Sequence, residues 1–435
     1  MKKSLIALAA LAATSAFAQS SVTISGTLDA GLMNQKFENG ASANNVSTGS
    51  NGASRLRFVG VEDIGGGTKA NFWLEMQPSF QDGTTSAAGL FNRGAWMGLS
   101  DTTFGELRIG RMGTNSVAAV CDIDQQGCYT GFYGGGILFS GIAGAGGNYS
   151  YWMAANPTRG GITQSIGLYN PWPTVNSAGA VVNSGANATN STDIKNVLAS
   201  STGAINQTNP AAFAQDSTRY VRSIRYSLPT FVPGLAINAN YAFGQTLWAG
   251  GHSGDSMGLD ANYVNGPLKL TYAYQKADGE KSQVLATAGT ATTFPGITQS
   301  VTGANGELTT VGAIYNFGFM SLGAGYQNEK TNGAANVVQF TKGEGYALTA
   351  LFPMGSLTPY IKYGERKYSG GTLGTFTPTK MGNVGVRYAL SKRTYVYADY
   401  VKNNASHADQ AKASADVSKT GSLVEQTNVG ITHSF

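Results

Sequence analysis

The sequence predicts an all-β fold: a 16-stranded antiparallel transmembrane β-barrel with short turns at one end and long loops at the other. Three observations predict it. The chain opens on an export signal, contains no later apolar run long enough for a membrane helix, and repeats sixteen alternating polar and apolar segments. A span in lipid must satisfy its backbone hydrogen bonds internally, which leaves only helices or closed barrels. A barrel strand needs about 9–11 residues that alternate between lipid and lumen. Alternation averages to moderate hydropathy, and the mean hydropathy here is −0.12.

The first element is the signal. Lys2 and Lys3 supply a positive start, and Leu5 to Ala13 is apolar but too short to span a bilayer as a helix. Ala16-Phe17-Ala18 has the small-x-small form of a cleavage site, so residues 1–18 read as a signal peptide and 19–435 as the barrel domain. Removing the two lysines takes the formal net charge from +5 to +3, too little to argue for a nucleic-acid partner.

The strands follow in order. Val22 to Asn34 comes first, then a polar stretch rich in Asn, Ser and Gly. Ser54 to Asp63 and Gly67 to Gln77 form a hairpin, as do Phe91 to Ser100 and Phe104 to Met112. After a long interval, Arg219 to Leu228 and Leu235 to Phe243 pair around Pro229 to Pro233. Ser256 to Val264 and Leu268 to Gln275 flank Asn265-Gly266; Leu308 to Asn316 and Phe319 to Asn328 flank Phe317-Gly318. Gly345 to Phe352 and Leu357 to Lys367 flank Met354-Gly355. Lys380 to Leu390 and Thr394 to Lys402 flank Ser391-Lys392, and Val424 to Phe435 closes the chain. Connections alternate between short ones of about two to five residues and long ones of roughly ten to thirty, except one far longer, the rhythm of an outer-membrane barrel. An even strand count puts both termini on the short-turn, periplasmic side.

Within Gly67 to Gln77, Lys69, Asn71, Trp73, Glu75 and Gln77 share one face, and Ala70, Phe72, Leu74 and Met76 the other. Lumen and lipid are the expected destinations. Tyr272, Tyr274, Tyr388, Tyr395, Tyr397 and Tyr400 near strand ends fit the aromatic belts at a membrane interface.

At this point the chain resembles the sixteen-stranded trimeric general porins of Gram-negative bacteria, in particular the anion-selective porins of β-proteobacteria. Val22-Thr23-Ile24-Ser25-Gly26-Thr27-Leu28-Asp29-Ala30 is similar to that family's first strand. Ser54-Arg55-Leu56 with Gly60-Val61-Glu62-Asp63-Ile64-Gly65-Gly66-Gly67, and Phe72-Trp73-Leu74-Glu75, resemble its second and third. Phe91-Asn92-Arg93, Gly98-Leu99-Ser100, Phe104-Gly105-Glu106-Leu107 and Gly110-Arg111 resemble the next two. Leu390-Ser391-Lys392-Arg393-Thr394 and Gly430-Ile431-Thr432-His433-Ser434-Phe435 resemble the closing hairpin and strand. The resemblance implies a passive, water-filled channel for small anions and hydrophilic solutes, assembled as a homotrimer among outer-membrane lipid and lipopolysaccharide. It also implies that barrel-assembly machinery reads the terminal Phe435.

Selectivity in such a pore comes from rings of charge. Arg55 and Arg57 lie opposite Leu56 and Phe58, Arg93 opposite Trp96, and Arg219 and Arg225 opposite Ile224 and Tyr226. All five point into the lumen if those apolar partners face lipid. The resemblance places Arg55, Arg93 and Arg219 on the family's constriction cluster, with Arg57 replacing a residue that is usually small. Arg111 is a further candidate, and Glu75 opposes part of the cationic field.

The third loop is the departure from the family. Residues 113–217 form one extended connection, whose first part carries Cys121, Asp122, Asp124 and Cys128. Two cysteines at that spacing in an exported chain read as a local disulfide. The resemblance implies that Asp122 and Asp124 face the arginines across the pore; a solvated loop surface is the open alternative. Asn148 to Met153 and Gly161 to Tyr169 have the look of an extra hairpin, which in the barrel would make eighteen strands. Tyr149, Tyr151, Trp152, Tyr169 and Trp172 would then suit a substrate-specific channel. Thr174 to Pro210 is rich in Asn, Ala, Ser and Thr.

His252, His407 and His433 are scattered, and no metal-ligand spacing or nucleophile motif accompanies them. The expectation is no cofactor, no metal and no catalysis. The competing readings are a substrate-specific channel, either eighteen-stranded or restricted by its loop, and a non-conducting surface adhesin.

Overall fold

The computed structural model describes residues 20–37, 42–48, 51–52, 54–80, 83, 85, 90–126, 219–243, 255–277, 281–284, 299–302, 305–332, 342–369, 378–403 and 423–435. Its strands in chain order are β1 (Ser21–Phe37), β2 (Ser42–Thr48), β3 (Arg55–Gly65), β4 (Thr68–Met76), β5 (Gly94–Asp101), β6 (Gly105–Gly113), β7 (Arg219–Ser227), β8 (Leu235–Ala242) and β9 (Ser256–Asn265). They continue with β10 (Leu268–Ala277), β11 (Lys281–Val284), β12 (Gln299–Thr302), β13 (Asn305–Asn316), β14 (Ser321–Asn332), β15 (Lys342–Leu351), β16 (Leu357–Ser369), β17 (Thr379–Ala389), β18 (Thr394–Asn403) and β19 (Leu423–Ser434). Among the described residues a helix, α1 (Asn115–Asp124), follows β6.

Sixteen of the strands pair antiparallel, each with its sequence neighbour, and the ring closes where β19 meets β1. The closing seam runs from Thr27↔Ser434 to Phe37↔Leu423. At its base the N–H of Gly26 donates to the Phe435 carbonyl, and the Phe435 N–H donates back to Gly26, each at 3.1 Å. Closure leaves no exposed edge, which the hydrocarbon layer requires. β2 is a short strand of the same sheet, not counted among the sixteen; it pairs with the part of β1 beyond β3, from Ala30↔Thr48 to Lys36↔Ser42. β11 and β12 form a separate small hairpin.

Every sequence-predicted strand matches a barrel strand to within a few residues. The short connections turn where glycine can adopt positive φ, as at Gly266 (φ 55°) and Gly318 (φ 87°). β6 pairs directly with β7, from Glu106↔Ser227 to Gly113↔Arg219. The ring is therefore complete without residues 127–218, and the eighteen-strand count does not hold. The predicted hairpin at 148–169, Cys128 and the signal segment 1–18 lie outside the described residues.

The polarity of the barrel is inverted relative to a water-soluble core. Leu32 is 69% exposed and Met97 66% on the outer face, while Asp29, Gln327 and Thr432 are buried inside. That is the pattern of strands standing between lipid and a polar interior. No helix among the described residues is long and apolar enough to cross a membrane, and the strands supply the spans.

Among the described residues, the apolar cluster inside the barrel is made by α1. Val120 and Ile123 pack against Leu308, Met381 and Val401, with Val117 and Ala347 beside them. The third connection therefore turns inward at Thr114 and lays α1 along the inner wall of β9, β10, β13, β14 and β15.

Candidate functional site

α1 divides the lumen, and its two faces do different things. Ile123 and Val120 pack on the wall, while Cys121, with Val117 at the edge of that packing, borders the cavity beyond the helix. Close approach to the wall needs glycine. A Cβ on Gly312 would sit 2.3 Å from Ile123 Cγ1, and one on Gly258 would sit 2.0 Å from Asn115 Oδ1.

Polar contacts fasten both helix ends. Asn115 Nδ2 donates to Asp260 Oδ1 at 2.5 Å, and Asn115 Oδ1 accepts from Tyr220 Oη at 3.1 Å and Asn240 Nδ2 at 3.0 Å. At the other end, Asp122 and Asp124 lie in the last turn, where the helix dipole disfavours negative charge. The wall supplies the cations that the helix lacks. Lys269 Nζ lies 2.7 Å from Asp122 Oδ1, and Lys362 Nζ lies 2.5 Å from Asp124 Oδ1. Gln125 Nε2 donates to Thr349 Oγ1 at 2.7 Å, and Arg387 Nη2 donates to the Gln126 carbonyl at 3.3 Å. Arg387 also holds the first loop, its Nε donating to Asn51 Oδ1 at 2.7 Å.

Asp122 and Asp124 thus do not oppose the arginines across the pore. They are held on the wall behind the helix by Lys269 and Lys362, two lysines outside the predicted set.

The far wall carries the predicted arginines. Glu75 accepts from Arg57 Nε and Arg93 Nε, each at 2.7 Å, one carboxylate between two guanidiniums. Arg93 also donates to Gln77 Oε1 at 3.1 Å, and Arg219 Nε donates to the Arg93 carbonyl at 2.7 Å. Arg225 Nη2 lies 3.3 Å from Asp260, and Arg108 Nη2 lies 2.5 Å from Glu106. Arg55, Arg93, Arg108, Arg219, Arg225, Glu75 and Glu106 line one cavity of about 550 Å³, bounded on the helix side by Val117 and Cys121.

Three placements differ from expectation. Trp96 faces the lumen rather than lipid: it pairs with lumen-facing Trp73 in register and stacks on it. Arg93 reaches the lumen because it precedes β5, where its N–H still bonds to the Glu75 carbonyl, and not through strand parity with Trp96. Arg111 pairs in register with Ala95, on the outward face of Met97 and Ile109, and its Nε donates to the Asn92 carbonyl at 2.7 Å.

Sequence reasoning missed Arg108 and Glu106, although they lie opposite the outward Leu107 and Ile109. It also missed α1. Cys121 has no free thiol and lines the cavity; its sequence partner Cys128 lies outside the described residues. Among the described residues, no group of three or more His, Cys, Asp or Glu is placed to hold a metal ion.

A closed barrel with an apolar exterior, a polar interior and an infolded loop that faces an arginine wall defines an outer-membrane β-barrel. This chain belongs to the Gram-negative porin family, whose pattern it matches over residues 4–408. It is 47% identical over 113 residues to outer membrane porin protein 32 of Delftia acidovorans, covering 26% of this chain and 32% of that protein. It is 29% identical over 318 residues to the major outer membrane protein P.IB of Neisseria gonorrhoeae, covering 72% of this chain and 84% of that one. The aligned stretch spans about a third of the length of the first of these curated relatives. Among solved structures, the anion-selective porin from Comamonas acidovorans aligns with 96% of this chain and 100% of its own, at 22% identity and TM-score 0.59. OmpF of Salmonella typhi aligns with 95% and 97% respectively, at 16% identity and TM-score 0.54. These likenesses speak to the fold, and the family locates the chain in the bacterial outer membrane.

Proposed function

We propose that the chain forms a passive, water-filled diffusion channel for small hydrophilic solutes and ions, with a mild preference for anions. The observation that carries this reading is the charge on one cavity wall, where Arg55, Arg93, Arg108, Arg219 and Arg225 outnumber Glu75 and Glu106. A unit charge about 6 Å from an ion in water-like surroundings is worth roughly 0.7 kcal/mol, about a threefold bias. The excess of arginine over glutamate on that wall favours anions by up to roughly an order of magnitude at low salt, less as screening sets in. Cations are disfavoured and not excluded.

The acids that α1 brings into the lumen support the same reading, because Lys269 and Lys362 neutralise them at the wall. A homotrimer, set in lipid and lipopolysaccharide, remains the assembly that the family resemblance implies. Phe435, bonded across the seam to Gly26, is the residue proposed to be read by the assembly machinery.

The test is single-channel recording of refolded protein in planar bilayers. Open, ohmic, unsaturated conductance is the expected result. A sealed barrel would point to an adhesin, and current that saturates with every permeant solute would point to a dedicated carrier pore.

A further inference from the structure

The cavity on the arginine wall has a second chemistry besides charge. Trp73 and Trp96 are paired across β4 and β5, with ring centroids 6.1 Å apart and planes within 8°. A guanidinium lies over each ring: Arg57 at 5.2 Å from the Trp73 centroid and Arg108 at 4.3 Å from the Trp96 centroid. The result is a row of cation, indole, indole and cation across four adjacent strands of the inner wall.

The backbone is shaped to seat this row. A Cβ on Gly94 would lie 2.9 Å from Trp73 Cδ1, and a Cβ on Gly110 would lie 3.0 Å from Trp96 Cβ. Glycine at 94 leaves room for the Trp73 indole, and glycine at 110 lets the β5 backbone at Ala95 and Trp96 approach closely. Two tryptophans in a water-filled lumen are costly to leave against water, since each carries a large apolar surface. Their neighbours do not bury them in a core, because they line the open cavity.

The rest of the lining divides in two. Val59, in register with Trp73, and Val61 add apolar lining on the strand side and Val117 on the helix side, while Arg55, Arg93 and Arg219 line the same cavity. An inorganic anion uses only the second group. A pocket that joins aromatic and apolar lining to a few arginines suits an organic ligand with the matching halves.

We propose that this cavity is a binding subsite for small aromatic carboxylates, with the ring against the Trp73–Trp96 surface and the carboxylate on the arginines. The subsite rests on the channel reading above, since the solute reaches it through the lumen. Bound there, the solute occludes the path beside α1, so occupancy reads out as a reduction of ion current. The arginines supply charge-assisted hydrogen bonds to the carboxylate, and the indoles discriminate flat rings from saturated ones.

The experiment uses the refolded full-length barrel in planar bilayers under symmetric KCl. Sodium benzoate, acetate and cyclohexanecarboxylate are titrated separately, and the half-blocking concentration of each is taken relative to the open current. Benzoate is expected to block saturably, at a concentration roughly two- to tenfold below that of cyclohexanecarboxylate, the range that an aromatic contact adds. Acetate is expected to block more weakly than either. Trp73→Leu with Trp96→Leu removes the difference between benzoate and cyclohexanecarboxylate. Equal block by the two ring acids in the unaltered protein overturns the proposal while leaving the channel reading intact, and so does benzoate block no stronger than acetate. A barrel with no conductance overturns the channel reading itself.

Discussion

Lys362 on β16 and Asp124 at the end of α1 form an ion pair of 2.5 Å, with side chains only 10% and 5% exposed. The pair ties the infolded loop to the barrel wall at the point where the helix dipole leaves an acid unsupported. A buried pair of this kind is costly to break from one side, about 3–5 kcal/mol, because the remaining charge stays out of water. Lys362→Met is therefore expected to lower the thermal unfolding midpoint of the refolded barrel. Lys362→Met with Asp124→Asn is expected to recover part of that loss. A double variant as unstable as the sum of its singles contradicts the pairing.

Glu75 stands between Arg57 and Arg93, so its charge cancels part of the field that attracts anions. Glu75→Gln is expected to raise the anion-to-cation permeability ratio about threefold, the bias of one unit charge near the ion path. The same substitution brings two guanidiniums together without their shared acceptor and is expected to lower the unfolding midpoint. Reversal potentials and thermal melts of the one variant check both.

Gly312 lets Ile123 lie against the wall, with no room for a Cβ. Gly312→Leu is expected to push α1 toward the arginines and reduce single-channel conductance, at an overpacking cost of about 1–3 kcal/mol. Gly382→Leu is the control, because nothing lies within 4 Å of a Cβ there. Equal conductance in the two variants contradicts the packing of α1.

Screening sets the salt dependence. The Debye length falls from about 10 Å at 0.1 M salt to about 3 Å at 1 M. The permeability ratio is expected to fall toward unity across that range, as measured by reversal potentials at a fixed gradient. A ratio independent of salt means that size, and not the arginine field, selects the ion.

The barrel was legible in the sequence because lipid enforces it. Period-2 alternation and closure leave little freedom, and glycines such as Gly266 and Gly318 mark the turns. Inward direction was legible for Arg55, Arg57 and Glu75, whose neighbours are plainly apolar. It was misread at Trp96, because an indole is apolar enough to pass for a lipid-facing residue, and only its register with Trp73 turns it inward. Arg111 was misplaced for a related reason. The face of a residue beside the Gly110–Met112 bulge depends on which neighbouring strand sets the register. The path of the third loop was not legible, because it depends on contacts with strands more than a hundred residues away, such as Ile123 with Gly312 and Asp124 with Lys362. A loop sequence records its own turns and does not record the wall that receives it.

The sign of the ion selectivity tests the central claim most directly. The measurement is the zero-current potential of the refolded protein across a tenfold KCl gradient at low salt, for the unaltered chain and for Arg55→Ala with Arg93→Ala. The arginine wall predicts an anion-selective potential that shifts toward zero in the double variant. A cation-selective potential in the unaltered chain, or an unchanged one in the variant, would contradict it.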